Sequence, residues 1–278
     1  MSELDLLVVG DVNADLVLRG GDLVPAFSQR EQLVESASLV LGGSGAIVAA
    51  GAARLGLRVA MAGCVGDDVL GRAMLEALAG VDVSAVRVVE EPTGISVGLA
   101  RPGDRAVLTA LGALASFTAA DVPDELLASA RWIHVAAPFL QPALDVAAIA
   151  ERAAGTTSLD PGWDPSGRWE LAWEGFDVLL PNEQEAEQLG ASGPGVVVKL
   201  GADGARCGDL RVAAPRVDPV DATGAGDSFD AGFITARLAG EDLAAALALG
   251  CACGALSTRA AGGTAGQPTL AEARSFHA

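Results

Sequence analysis

Tyrosine is absent from this chain of 278 residues, and lysine occurs once, as Lys199. The 18 basic residues face 36 acidic ones, a formal charge of −18. Nucleic acid is held by clustered cations, so this balance argues against a nucleic-acid partner. It argues equally against docking on an anionic membrane surface. Cysteine is scarce, at Cys64, Cys207, Cys251 and Cys253, and the spacing fits no zinc pattern. Buried small residues in a reducing compartment is the expectation for all of them. Apolar runs are short and broken by Gly, Arg or Asp, far below the roughly 20 residues of a membrane span. Glu3 and Asp5 stand where a secretory signal would carry basic residues, so a cytoplasmic location is expected. No fixed-period repeat or low-complexity run is present.

Hydrophobic residues make up 51% of the chain, enough for one large core and a single domain over residues 1–278. The apolar run Leu4 to Val9 suits a central strand buried on both faces. Gly42, Gly43 and Gly45 precede an Ala-rich helical run, Ala46 to Leu55. Further strands are expected at 59–63, 132–135, 156–159, 178–180 and 196–200, and helices at 70–79, 144–152 and 183–189. Two long helices, 226–238 and 243–257, close the chain. Alternating strands and helices imply an α/β fold with a mostly parallel sheet covered on both faces. Strand-like pieces at 86–89, 96–100 and 107–110, with a turn at Gly103-Asp104, break the alternation and suggest a small side sheet. Ligands in such folds bind beyond the carboxyl ends of the strands, where the distinctive segments fall.

The strongest segment is Asp221-Ala222-Thr223-Gly224-Ala225-Gly226-Asp227-Ser228-Phe229. Its glycines allow a tight turn directly before a helix, whose first amides attract anions. Asp227 falls in the first turn, where a carboxylate is favoured by the helix dipole and also serves as an ordinary cap. A P-loop is excluded, because the one lysine is outside that context, and Gly43-Ser44-Gly45 lacks the third glycine of a dinucleotide fingerprint. His134 lies in an apolar strand, the setting of a structural histidine, and Trp163, Trp169 and Trp173 are expected in the core.

The string Asp221 to Phe233, "DATGAGDSFDAGF", resembles the C-terminal signature of the ribokinase-like (PfkB-type) carbohydrate kinases. Four other segments agree in order. They are Asp11-Val12-Asn13-Ala14-Asp15, Leu41 to Ala46, Asn182 to Glu187 with its N-x-x-E pattern, and Val198 to Gly204. The resemblance implies a three-layer sandwich with a small β lid, built from segments about 12–38 and 86–110. It implies an ATP-dependent sugar kinase acting on a primary hydroxyl of a ribose-, fructose- or sugar-acid-like substrate. Asp227 would be the base, and the amides of Gly224, Ala225 and Gly226 the anion hole. Asn13, Asp15, Gly42 and Gly43 would hold the sugar. Lys199, Gly201, Gly204 and Thr223 would line the nucleotide. Asn182 and Glu185 would organise Mg²⁺ through waters, although on their own they read as a helix capping box. A lysine running from the strand end into solvent is the plain alternative for Lys199. The resemblance also admits a monovalent cation such as K⁺ near Asp221 and Thr223, and a homodimer formed through the lid.

Two departures bear on the substrate. Many relatives carry Asn where this chain has Ile47, and ribokinases proper place a glutamate near the stretch Ala136-Ala137-Pro138-Phe139. Missing polar partners change specificity sharply. A nucleoside kinase of the same family is therefore the second reading, and a non-catalytic sugar or nucleotide sensor the third.

Overall fold

In the computed structural model, the described residues are 4–276 apart from 22, 26, 102 and 103. The strands are β1 (Leu4–Val9), β2 (Asn13–Arg19), β3 (Ser36–Gly42), β4 (Val59–Gly66), β5 (Asp82–Val89), β6 (Ile95–Arg101) and β7 (Asp104–Ala110). They continue with β8 (Ala130–Ala136), β9 (Thr156–Asp160), β10 (Val178–Leu179), β11 (Val197–Lys199), β12 (Ala205–Cys207) and β13 (Leu210–Val212). The helices are α1 (Ser44–Arg54), α2 (Val69–Ala77), α3 (Asp124–Ser129), α4 (Val146–Arg152), α5 (Glu183–Leu189), α6 (Ala225–Leu238), α7 (Leu243–Ser257) and α8 (Leu270–Ser275).

The six-stranded central sheet runs in the order β10-β9-β8-β1-β4-β5, with parallel pairing throughout. Side chains alternate across a strand, so β1 feeds two cores. Leu6 and Val8 pack with α1, α6 and α7, while Leu7 and Val9 pack with α3 and α4. This is the expected α/β arrangement, with helices on both faces. The chain leaves β1 toward β4 on one side and returns to β8 on the other. That switch opens a crevice beyond the carboxyl ends of β1, β8 and β9.

A separate four-stranded sheet, ordered β3-β2-β6-β7, stands over this crevice. Its register separates two faces. Asp15, Val17, Ser96, Gly98, Val107 and Thr109 look into the crevice. Leu39, Leu16, Val97 and Leu108 form a row on the other side, with Leu39 and Leu108 exposed.

The side sheet differs from expectation in one part. Residues 86–89 lie in β5, which pairs parallel with β4 at the edge of the central sheet. The succession β4–α2–β5 is a parallel crossover unit, and such a unit returns its second strand to the same sheet. The covering sheet therefore comes from 13–42 and 95–110. The turn expected at Gly103 falls outside the described residues. Helix α8 was not foreseen, although Thr269 and Glu272 form a reciprocal capping box at its start.

Candidate active site

The floor of the crevice is the start of α6. Gly224, with φ of 71°, precedes it and lets the chain reverse into the helix. A Cβ at Gly224 would come within 2.7 Å of Gly263 Cα, so the position has no room for a side chain either. Asp227 sits in the first turn, 9% exposed, and lines a cavity of about 1410 Å³. Burial pushes its carboxyl up to about 8, and the nearby Asp160 adds to the rise. Lys199 and a hydrogen bond from Ser44 act in the opposite direction.

A buried charge cluster lies beneath Asp227. Lys199 Nζ donates to Asp160 Oδ2 at 2.7 Å and to both oxygens of Asp230 at 3.2 Å. Asp160 ends β9, Lys199 ends β11, and Asp230 follows Asp227 by one helical turn. Burial alone would lower the lysine, but Asp160, Asp230 and Glu185 outweigh it and hold it charged. Burial would likewise raise Asp160, and Lys199 holds it down as an ionised carboxylate. Asp230 is raised well above the usual range by its burial. The solvent-exposed alternative for Lys199 fails, since its side chain is 11% exposed. Lys199 does not line the cavity. Instead, its stem runs under the turn, with Nζ 3.4 Å from where a Cβ on Gly226 would stand.

The expected sugar-side residues come together at the other end of the cavity. Asn13 Nδ2 donates to Ser96 Oγ at 2.7 Å and to Asp15 Oδ1 at 3.2 Å. Asn13 Oδ1 is buried without a partner, an acceptor position that an incoming hydroxyl could fill. Gly43 has φ of 90°, and a Cβ there would lie 2.5 Å from Asp11 O. At Gly42 a Cβ would strike the Asp15 carboxylate. Close backbone approach thus requires glycine at 43, whereas at Gly42, which does not line the cavity, the obstacle is the Asp15 side chain. Asp11 itself lines the cavity, accepts the Gly45 amide at 2.9 Å, and is pushed up to about 6 by burial.

The facing wall is apolar: Ile47, Ala137, Phe139 and Trp163 line it. Trp169 meets Phe139 and Trp163 edge-on, at centroid distances of 5.6 and 5.2 Å. Trp163 is 58% exposed, so this part of the tryptophan cluster borders the crevice instead of filling the core. His134, by contrast, is fully buried, accepts or donates at Ser158 Oγ, and is lowered to about 4 by desolvation.

Asn182 and Glu185 form the capping box of α5: Glu185 N donates to Asn182 Oδ1 at 2.9 Å, and Asn182 N to Glu185 Oε2 at 2.8 Å. Glu185 is buried, and desolvation with the charge of Asp160 pushes it up to about 7. A divalent cation beside these carboxylates would relieve that repulsion, and Mg²⁺ tolerates one carboxylate with waters. The capping bonds engage Asn182 Oδ1 and Glu185 Oε2, and neither residue lines the cavity, so a Mg²⁺ ion in the cavity would reach them through waters. Gly204 has φ of 100°, and a Cβ there would fall 1.9 Å from Val212 O; Gly201 starts the same tight turn after β11. Thr223 donates through N and Oγ1 to Asp221 Oδ1, at 3.0 and 2.7 Å.

The geometry joins a large cavity, with carboxylates and Asn13 on one side and an apolar wall on the other, to a helix N-terminus carrying a buried carboxylate. Comparison with known proteins decides the family. Residues 3–270 match the model of the pfkB family carbohydrate kinases. The chain belongs to that family. It is 35% identical over 272 residues to the ATP-dependent ribose-1-phosphate kinase of Halopiger xanaduensis, covering 91% of each chain. It is 30% identical over 263 residues to the nucleoside kinase of Methanothermobacter thermautotrophicus, covering 86% of this chain and 84% of that one. The ribokinase of Arabidopsis thaliana, solved with ribose and ATP, superposes with a TM-score of 0.81 at 24% identity, covering 100% and 99%. This chain is accordingly an ATP-dependent carbohydrate kinase, a phosphotransferase.

Sequence reasoning missed Asp160, Asp230, Asp11 and Arg19 as parts of this site. Two of them carried a signal. Asp230 is three residues after Asp227 on a helix, hence on the same face. Asp160 closes a buried strand at its carboxyl end, where sites of this fold lie.

Proposed function

We propose that this kinase transfers the γ-phosphate of ATP to a primary hydroxyl of an uncharged sugar, with Asp227 as the base. The observation that carries the reading is the placement of Asp227. A buried carboxylate with its pKa raised to about 8 sits between the helix amides and the polar pocket. A base poised near working pH takes the proton as the hydroxyl oxygen attacks phosphorus. The amides of Gly224, Ala225 and Gly226 stand at the helix start to meet the charge that builds on the transferring group, and Ala225 N–H, drawn to Ala222 O at 3.3 Å, turns from that carbonyl to do so. Asn182 and Glu185 would hold Mg²⁺ through waters, where it would supply charge neutralisation on the phosphates. Gly201, Gly204 and Thr223 shape the nucleotide's bed. Lys199 acts from beneath, through Asp160 and Asp230, instead of touching a phosphate.

Asn13, Asp15 and the Gly42-Gly43 backbone orient the acceptor. Asp15, together with Asp11 and Asp227 once these raised carboxyls have ionised, makes this end of the cavity acidic, which favours a neutral acceptor over a sugar acid or a sugar phosphate. The apolar wall of Ile47, Phe139 and Trp163 favours a nucleoside as the second reading, because a base stacks on such surfaces. The covering sheet works as a lid that excludes water. Its outer row of Leu16, Leu39, Val97 and Leu108 is an apolar face that suits a second copy of the chain, giving a homodimer. Among the described residues no helix is long and apolar enough to cross a membrane.

The test is ADP release from ATP and Mg²⁺ with ribose, fructose, 2-dehydro-3-deoxygluconate, ribose 1-phosphate and adenosine. Turnover on a neutral sugar is expected. Turnover confined to adenosine selects the second reading. Turnover confined to the anionic acceptors contradicts the argument from the acidic pocket.

A further inference from the structure

Asp221 opens the turn that carries the anion hole, and its carboxylate is saturated. Oδ1 accepts Thr223 N at 3.0 Å and Thr223 Oγ1 at 2.7 Å. Oδ2 accepts Gly262 N at 2.9 Å and Arg19 Nη2 at 2.5 Å. Four donors occupy the roughly four lone-pair positions of a carboxylate. These contacts hold the group below the usual carboxylate range, against the effect of burial. A monovalent cation requires oxygens with free lone pairs. It meets N–H and O–H donors and a fixed guanidinium here. The K⁺ that family resemblance admits near Asp221 and Thr223 does not fit this arrangement.

Arg19 has a second distinguishing feature. It ends β2 on the crevice face of the covering sheet, in line with Asp15 and Val17. Among the described residues it is the one basic side chain lining the cavity. The ion pair therefore ties that sheet to the turn at 221–224. Gly262 ties the same carboxylate to the segment after α7, and Val220 and Asp221 both donate backbone N–H to Thr258 O. With side-chain exposures of 29% and 9%, the pair is shielded enough to escape most of the screening that weakens surface pairs.

We infer that Arg19 is a built-in cation for the anion-hole turn: a positioning residue that fixes Asp221 and makes this kinase independent of monovalent cations. The inference rests on the reading of 221–227 as the phosphoryl site. Because the charge is delivered by the covering sheet, the turn is fully braced when that sheet is in place.

The experiment compares wild type, Arg19→Ala and Arg19→Lys in KCl and in choline chloride of equal ionic strength. Choline is too large to enter the gap that the substitution opens. Wild type is expected to show the same kcat in both salts. Arg19→Ala should lose about tenfold or more in kcat in choline chloride, the scale of a lost charge-assisted hydrogen bond. KCl should restore much of it, with the acceptor KM little changed. Arg19→Lys should stay active and salt-indifferent, which separates a charge role from misfolding of the alanine variant. Activation of wild type by K⁺ overturns the inference. So does full activity of Arg19→Ala in choline chloride, or a rise confined to acceptor KM that K⁺ does not reverse.

If no acceptor is turned over, the functional reading fails by itself, and the inference is still decided by binding. The rise in melting temperature caused by MgADP should then be equal in the two salts for wild type. It should be larger in KCl than in choline chloride for Arg19→Ala. A K⁺-dependent rise in wild type, or a salt-independent one in Arg19→Ala, is the contrary result.

Discussion

Replacing Lys199 with methionine tests the buried cluster most severely. Methionine keeps most of the stem's volume, so packing changes little and the charge is what disappears. The ammonium is the counter-ion of Asp160 at 2.7 Å and of Asp230 at 3.2 Å, in a place where both carboxylates are buried. Removing one partner of a buried pair costs about 3–5 kcal/mol, because the remaining charge is left without compensation. For a chain of this size that lowers the melting temperature by about 6–20 °C. The assay is thermal or urea unfolding of Lys199→Met beside wild type. The deficit should narrow as pH falls. Carboxylates whose pKa is raised in the folded state bind protons more tightly there than in the unfolded chain. Adding Asp160→Asn to Lys199→Met should recover much of the loss, because Asp160 is the carboxylate that Lys199 holds ionised. Kinetics should respond as well: Lys199 holds Asp227 down, so without it the rise of kcat/KM with pH moves to higher pH. A Lys199→Met protein as stable as wild type, or one further destabilised by Asp160→Asn, would contradict the counter-ion role of Lys199.

Four further outcomes are expected. The kcat/KM of the free enzyme should increase with pH and level off above about 8, since the proposed base Asp227 has to be deprotonated and burial has raised it from 3.8; a flat profile across that range contradicts the proposal. The same shift has a stability sign: a raised folded-state pKa favours the folded form fully below the unfolded value, and that contribution is lost as pH rises through about 8, which melting curves on either side should register. Gly204→Ala places a methyl 1.9 Å from Val212 O at a φ of 100°, and should cost about 2–4 kcal/mol in unfolding experiments and weaken nucleotide binding, whereas a silent substitution would show the turn to be loose. Ile47→Asn puts a hydrogen-bonding group on the apolar wall, and should raise kcat/KM for ribose relative to adenosine by about tenfold in competition assays.

Much of this arrangement was legible from residue order. The run Leu4 to Val9 reads as a doubly buried strand, and β1 has that burial on both faces. The start of α6 was visible because Gly224 and Gly226 bracket a helix beginning, and α7 was read with its observed bounds. The placement of β5 was not legible. Its edge position exposes Arg87 and Val88, and that exposure blurs the apolar pattern of a parallel strand. Lys199 was misread for a related reason. A strand-end lysine normally reaches solvent, and its burial depends on Asp160 and Asp230, which are 39 and 31 residues away. The ion pair of Arg19 with Asp221 spans 202 residues. No local spacing rule can find such a contact, because it exists only after the covering sheet has folded over the crevice.

The central claim is direct transfer of phosphate to an acceptor hydroxyl activated by Asp227. Mass-spectrometric detection of the phosphorylated acceptor, formed by wild type and by Asp227→Asn at equal saturation with MgATP, tests it most directly. The expected result is one phosphorylated sugar for each ADP in wild type. In the variant, which still binds nucleotide, its formation should be slower by about 10²–10⁴. Product formation by Asp227→Asn at the wild-type rate would contradict the account.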